Sequence, residues 1–577
     1  MTLSIFTKSI YAFAAFISAF LLFWIQPLIA KHYTPLLGGS PMVWNTLLFF
    51  FQMLLLCGYA YVAFASRFFS NRLFILAHVL FAGLALFFLP IAFDTSTEVP
   101  THGFPVFWLL KEVFLKIGIP FLFIATTAPL LQVWYVRHFH LNPKKEPFFL
   151  YAISNFGSFA ALFLFLGWIE AFWRTSEQAM LWSFGVVGLL SALCLPALGV
   201  LNNATEQPKA NRTLPIDTIV KLKWFALAFI PSSLLHGVTV YVTNDLLSVP
   251  IFWVVPLGLY LLTFVIAFTQ FGERAQKGLL KAVLPAAFIP LLLLFWVDPL
   301  FSLTLFVLHI ISFVILATTC HGELYKHRPA EEGLGSFYLW IALGGASAGF
   351  FNVMMAPLMF DTIFEYPLSI ALAVALLASI KNGASQKQLI QSGAALAFVG
   401  VVWFLYINLP DVISVKYQQG FPYSKTTETM IGPLLGLIAI TALITASIYT
   451  FKKNAPSLAI VFIGLHLVVA ETSNHSLFGF MNINSEEHQK TIFIDRNFYG
   501  VIRVVDHYKE GLRKYYNGVG GHSALQLGTT PKAGPDLGGY RSLAIGEAYN
   551  MRRPVAVLGM GPARYQCFAR PDQTIEY

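Results

Sequence analysis

The residues best suited to chemistry lie near the end of the chain. Pro554-Val555-Ala556-Val557-Leu558 is a short apolar run that ends on Gly559, with Gly561 two residues on. Such a run reads as a buried parallel strand. A strand leading into Gly-x-Gly opens a nucleotide-binding strand–loop–helix, because glycines let the backbone turn tightly and approach a ligand and the helix N-terminus favours anionic or polar groups. Ala563 stands where a third glycine would complete the pattern. A dinucleotide-type site also needs an acidic residue at the end of the next strand to hold ribose hydroxyls, and Glu576 in Gln573–Tyr577 occupies that place. The same spacing also serves a ligand-free tight turn in an α/β domain. Two strands and one helix do not complete a doubly wound sheet, which must be covered on both faces, so a partial Rossmann-like unit is expected.

A second set of candidates sits in apolar surroundings. His236 lies mid-run beside Ser232, Ser233 and Thr239. An ionisable group at membrane depth is costly and often functional; the alternative is a histidine packed inside a bundle and hydrogen-bonded to a neighbouring helix. Gln26, Gln52, Thr126, Thr127, Gln132, Asn155, Asn244, His309 and Asn352 are further polar residues in apolar runs, while Asp245, Asp361 and Glu365 fall at run ends, where solvent or a short loop satisfies them. His321-Gly322-Glu323 supplies two metal-type ligands without partners, which fits loop anchoring better than a metal site. Gly344, Gly345 and Gly349 form a small-residue spacing that lets helices approach closely.

The elements that must position these residues are membrane helices. Hydrophobic residues make up 57% of the 577 and charged ones 11%, against about 25% charged in soluble domains. The apolar runs do not alternate, so helices are favoured over barrel strands. Spans are expected at 9–31, 42–66, 73–93, 117–136, 148–168, 178–200, 223–243, 248–270, 278–297, 300–320, 335–359, 364–380, 389–408 and 430–451, about fourteen in all. Residues 456–470 are a shorter fifteenth candidate. Connections taken in order alternate in charge: the even ones carry eighteen Lys and Arg, the odd ones six. That asymmetry puts the even connections and the N-terminus in the cytoplasm. With fourteen spans the C-terminal region is cytoplasmic too; if 456–470 also crosses, it lies outside. The net charge of +9 is thereby assigned to the loops, and no nucleic-acid partner is expected. Cys57, Cys194, Cys320 and Cys567 are far apart and suggest no disulfide framework.

The membrane part shows spacings that suggest an internal repeat, although Pro and Trp also open helices near an interface without one. Pro41-x-x-Trp44 opens the second run and Pro250-x-x-Trp253 the eighth; FLYAISNFGS (149–158) opens the fifth and FYLWIALGGASAG (337–349) the eleventh. Two six-helix halves in parallel orientation form the major-facilitator arrangement. After residue 471 the composition changes. Residues 491–527 read as strands with a turn at Lys509–Gly511, followed by a Gly/Pro-rich loop over 528–539 and a helix near 540–550. The expected domains are therefore a multi-pass region, 1–471, and a partial α/β region, 472–577, that begins with a β-hairpin.

RNFYGVIRV (496–504), a strand containing Gln526, GPDLGG (534–539) and VAVLGMG together resemble the N-terminal part of a spermidine synthase-like aminopropyltransferase domain. SAFLLFWIQPLIAK (18–31), GGSPMVWN (38–45), TTAPLLQVW (126–134), 231–264, CHGELYKHRP (320–329), GGASAGFFN (344–352) and EYPL (365–368) resemble the bacterial inner-membrane proteins in which a multi-helix region precedes such a domain. The resemblance implies S-adenosylmethionine or its decarboxylated form as cofactor, with Gln526 near the donor and Gly559 and Gly561 beneath it, and it suggests a small amine as partner beside the lipid bilayer. In that family the acidic residues that activate the amine come later than Tyr577, so the chain as it stands is expected to lack aminopropyl transfer. The alternative is a secondary transporter of a small solute.

Overall fold

A computed structural model describes residues 2–37, 39–93, 105–139, 148–202, 216–246, 253–293, 302–329, 334–360, 363–382, 489–498, 500–508, 510–517, 520–526, 555–556 and 575–576. The membrane part is built from twelve helices among these residues. They are α1 (Thr2–Leu36), α2 (Pro41–Phe68), α3 (Asn71–Phe87), α4 (Pro105–His138, through a π turn at Phe114–Gly118) and α5 (from Phe148 through a π turn at Phe165–Ile169 to Phe172). Then come α6 (Thr175–Asn202), α7 (Thr218–Tyr241), α8 (Val254–Ala267), α9 (Gln270–Leu293), α10 (Ser302–Lys326), α11 (from Leu334 through a π turn at Phe351–Met355 to Met359) and α12 (Glu365–Asn382). Local chemistry fixes several starts. Ser40, Ser70 and Asp217 cap α2, α3 and α7 by accepting from backbone N–H groups of Met42, Leu73 and Ile219, which satisfies donors the helix leaves unpaired.

Eight of these helices are long and apolar enough to cross a membrane. α8 and α9, bent by 106° where they join, add a ninth if read as one span, and α3 and α12 hold shorter apolar stretches. The chain is thus polytopic. The first twelve expected spans fall on α1–α12 in order, whereas 389–408, 430–451 and 456–470 lie outside the described residues. Hydropathy misplaced two starts. α4 begins at Pro105, because its first turns carry Lys111 and Glu112 and are amphipathic. α9 begins at Gln270, because the polar turn Gln270–Lys277 is helical, with Thr269 Oγ1 accepting from Gly272 N at 3.2 Å.

Contacts between helix ends define two faces. On the N-terminal face Tyr11 meets His138 at 3.2 Å, Arg137 donates to Asn71 Oδ1 and Ser66 O at 2.7 Å, and Trp224 donates to His327 O at 2.7 Å. On the opposite face Lys31 pairs with Glu170 at 2.5 Å, Trp44 packs on Trp253, and His309 bonds Tyr366 at 3.0 Å. The pattern of packing repeats after six helices. α1 packs on α5 and α7 on α11; α1 on α6 and α7 on α12; α2 on α4 and α8 on α10; α3 on α6 and α9 on α12. The two sets are joined crosswise, α2 against α11 and α8 against α5. Apolar area drives little helix association in lipid, so close backbone approach matters. Gly157 supplies it where α5 crosses α1 at Phe16 O, and Gly344 where α11 crosses α7 at Phe225 O; a Cβ would stand 2.6 Å from either oxygen.

The C-terminal region contains an antiparallel meander, β1 (Gln489–Asn497), β2 (Gly500–His507), β3 (Leu512–Asn517) and β4 (Gly520–Gln526), paired in that order. The expected turn joins β2 to β3: His507 faces Leu512, and Gly511, at φ +65°, donates to Tyr508 O at 3.2 Å. Where a hairpin was expected, four strands form. Val555–Ala556 (β5) and Ile575–Glu576 (β6) make a short parallel pair. The expected helix near 540–550 lies outside the described residues.

Candidate functional site

The two sets of helices enclose a cavity of about 240 Å³. α1, α2, α4 and α5 wall one side; α7, α8 and α11 wall the other. Its polar groups are amides and hydroxyls: Gln26, Gln52, Gln132 and Asn155, with Ser18, Ser154, Ser158, Ser232, Tyr59, Tyr260 and Tyr338. Leu, Ile, Ala and Phe with Pro129 and Gly345 form the remainder, and among the described residues none that lines it is Asp, Glu, Lys, Arg or His. Such a lining offers hydrogen bonds to an uncharged solute but no counter-charge for an ion, whose desolvation in a low-dielectric site is costly without a partner.

Leu150, Tyr338 and Phe264 line the cavity within about a turn of the ends of α5, α11 and α8 on the N-terminal face, and Leu257 lines it within a turn of the start of α8 on the other. From Ser158 on α5 or Gly345 on α11 the helix continues for fourteen residues toward the other face, roughly 20 Å of packed helix. Gly345 opens onto the cavity: a Cβ there would have Ser232 Oγ as its nearest neighbour, at 3.6 Å.

Buried hydrogen bonds hold the lining in place. Ser232 Oγ and Tyr260 OH are 2.8 Å apart, linking α7 to α8. Gln52 Oε1 is 3.4 Å from His236 Nε2, so the expected mid-helix histidine is fully buried and bonded to a neighbouring helix. Ser233 bonds Ser369 at 2.7 Å and accepts from Asn352 Nδ2 at 2.8 Å. His321 bonds Thr263 at 2.9 Å and stacks on Phe264, while Glu323 accepts from Gln276 at 3.0 Å and pairs with Lys326 at 2.8 Å. The two residues of His321-Gly322-Glu323 therefore serve different contacts, and the described residues hold no set of three His, Cys, Asp or Glu side chains placed to bind a metal.

Glu365 corrects an expectation. It starts α12, yet solvent does not satisfy it: its side chain is 1% exposed. Arg496 of β1, itself 4% exposed, grips both carboxylate oxygens at 2.6 and 2.9 Å. Beside this pair Ser40, the cap of α2, donates to Phe498 O at 2.6 Å. Phe498 packs on a small cluster of Met42, Phe49, Val240 and Val353. The tip of the β1–β2 hairpin is thus seated on the face opposite the N-terminus, on α2 from one half and α12 from the other. The fourteen-span expectation had put the C-terminal region on the N-terminal face.

The structure describes two of the four candidate cofactor residues. Gln526 ends β4 opposite Leu512, Glu576 pairs with Ala556 in the parallel couple, and Gly559 and Gly561 lie outside the described residues. Asp361 lies outside them as well. The cavity amides Gln26, Gln52, Gln132 and Asn155 were all marked by polarity within apolar runs. Ser154, Tyr59, Tyr260 and Tyr338 were not, since a hydroxyl in an aromatic-rich run carries no pattern of its own. No protein-family model matches the chain, and no curated protein matches it.

Proposed function

We propose that the membrane part is a secondary transporter of a small uncharged solute, built from two six-helix halves in the major-facilitator manner, with the cavity as its binding site. One observation carries this reading: the cavity sits at the junction of two sets of helices that repeat each other's packing, and each set supplies hydrogen-bonding groups to it. Ligand pockets that combine an apolar lining with a few polar groups occur between the helices of bundles. The neutral lining favours a solute with hydroxyl or amide groups on an apolar frame and disfavours a free polyamine. The eighteen-to-six distribution of basic residues supports a bacterial inner-membrane orientation with the N-terminal face in the cytoplasm.

The test is thermal unfolding of the purified protein in detergent against a panel of uncharged polyols, nucleosides and amides beside spermidine and charged amino acids. A bound ligand stabilises the folded state by mass action. At least one uncharged solute should raise the unfolding temperature in a saturable way. Stabilisation by spermidine alone would contradict the reading.

A second reading concerns the C-terminal region. The parallel pairing of Val555–Ala556 with Ile575–Glu576 supports a nucleotide-type strand–loop–helix around Gly559 and Gly561, with S-adenosylmethionine or its decarboxylated form as ligand. Calorimetric titration of the whole protein with S-adenosylmethionine checks it, and a Gly561→Val variant should lose the heat of binding.

A further inference from the structure

The β1–β2 tip lies over the junction of the two halves on the face opposite the N-terminus. Between tip and cavity the packing comes in layers. Phe498 lies on Met42, Val240 and Val353. Beneath these, Asn45 Nδ2 donates to His236 O at 3.3 Å, and His236 meets Gln52, which lines the cavity. The tip holds both halves at once: Ser40 of α2 through Phe498 O, and Glu365 of α12 through Arg496. Moving the two halves apart on this face must break at least one of those contacts. Both carboxylate oxygens and both terminal guanidinium nitrogens are engaged with almost no exposure to water, so parting them leaves two buried charges to be resolvated.

We propose that the β1–β2 tip is a gate. It holds the central cavity shut on the face opposite the N-terminus, and solute crosses that face only when Arg496 releases Glu365 and Phe498 leaves its seat. Solute passage rests on the transporter reading; the closure does not. The gate also fixes sidedness, for β1 and β2 must share a compartment with the starts of α2 and α12, the compartment that the basic residues mark as external.

Thiol accessibility tests the gate without any solute. In a chain with Cys57, Cys194, Cys320 and Cys567 replaced by serine, Met42→Cys places one thiol beneath Phe498. Its rate of labelling by a membrane-impermeant maleimide is measured in detergent. The parent should label slowly, and adding Arg496→Ala or Phe498→Ala should speed labelling at least tenfold. Arg274→Cys, exposed on the N-terminal face, should label at one rate in all backgrounds and reports the fold. If Arg496→Ala does not fold, Phe498→Ala, which keeps the ion pair, carries the same test. Equal rates at Met42→Cys with and without the tip contacts would overturn the gate. A ligand-binding failure in the thermal panel would instead overturn the transporter reading and leave this result standing.

Discussion

Glu365 and Arg496 lie 131 residues apart in sequence and meet through two parallel hydrogen bonds of 2.6 and 2.9 Å, the carboxylate 1% and the guanidinium 4% exposed. A bidentate pair of this kind is strong and directional. The carboxylate also sits in the first turn of α12, where the helix dipole favours negative charge. Removing one partner leaves the other buried and unpaired, which costs about 3–5 kcal/mol. Glu365→Ala and Arg496→Ala should each lower stability by that order. Glu365→Met combined with Arg496→Met should recover much of the loss, because neither charge then remains buried. Unfolding in denaturant on the purified protein compares the three. Equal loss in the single and double variants would mean that the pair is not desolvated.

Trp44 and Trp253 are equivalent positions of the internal repeat, and their ring centroids are 6.2 Å apart. They join the starts of α2 and α8 across the two halves. Truncating a buried tryptophan to alanine costs about 3–5 kcal/mol, and an aromatic pair adds about 0.5–1.5 kcal/mol of coupling. A double-mutant cycle on Trp44→Ala and Trp253→Ala should return a coupling of that size. Trp44→Phe should be milder than Trp44→Ala, since the indole Nε1 has no hydrogen-bond partner among the described residues to lose.

His507 gives the sheet a pH dependence. Burial, with Lys514 adding to it, holds the imidazole below its usual value, and Glu510 and Asp506 oppose the shift without reversing it. Tyr516 OH lies 3.0 Å from Nε2. A histidine depressed in the folded state binds fewer protons there than in the unfolded chain. The sheet is therefore at full stability above pH 6.5 and loses stability as pH falls through and below 6.5, down to the folded-state value. Hydrogen exchange at the β2 and β3 amides should show weaker protection at pH 5 than at pH 7.5, after correction for intrinsic rates. His507→Gln should flatten that difference. An unchanged pH profile in the variant would assign the effect to another group.

Periodicity and run length made the helices legible, and Arg137 with Asn71 and Lys31 with Glu170 mark the two faces between which they run. The Pro-x-x-Trp repeat was visible as a spacing, whereas the contact between Trp44 and Trp253 was not, because a spacing carries no information on which faces meet. Gln52, Gln132 and Asn155 stood out as amides in apolar runs, and all three line the cavity. Glu365 looked like a solvated helix end. Its partner is on another element over a hundred residues on, and a single sequence holds no signal linking the two. Gln526, Gly559, Gly561 and Glu576 rest on the motif and the family resemblance.

The cavity between the halves is the proposed solute site, and Gly345 is the position from which to test it. A side chain at Gly345 would project into the cavity past Ser232 Oγ, at 3.6 Å, rather than into a helix contact. Gly345→Phe should therefore fill the cavity and leave the fold intact. Equilibrium binding of the solute selected by the thermal panel should weaken at least a hundredfold in this variant, with the unfolding temperature of the ligand-free protein unchanged or raised. Unaltered affinity in a folded Gly345→Phe protein would contradict the account.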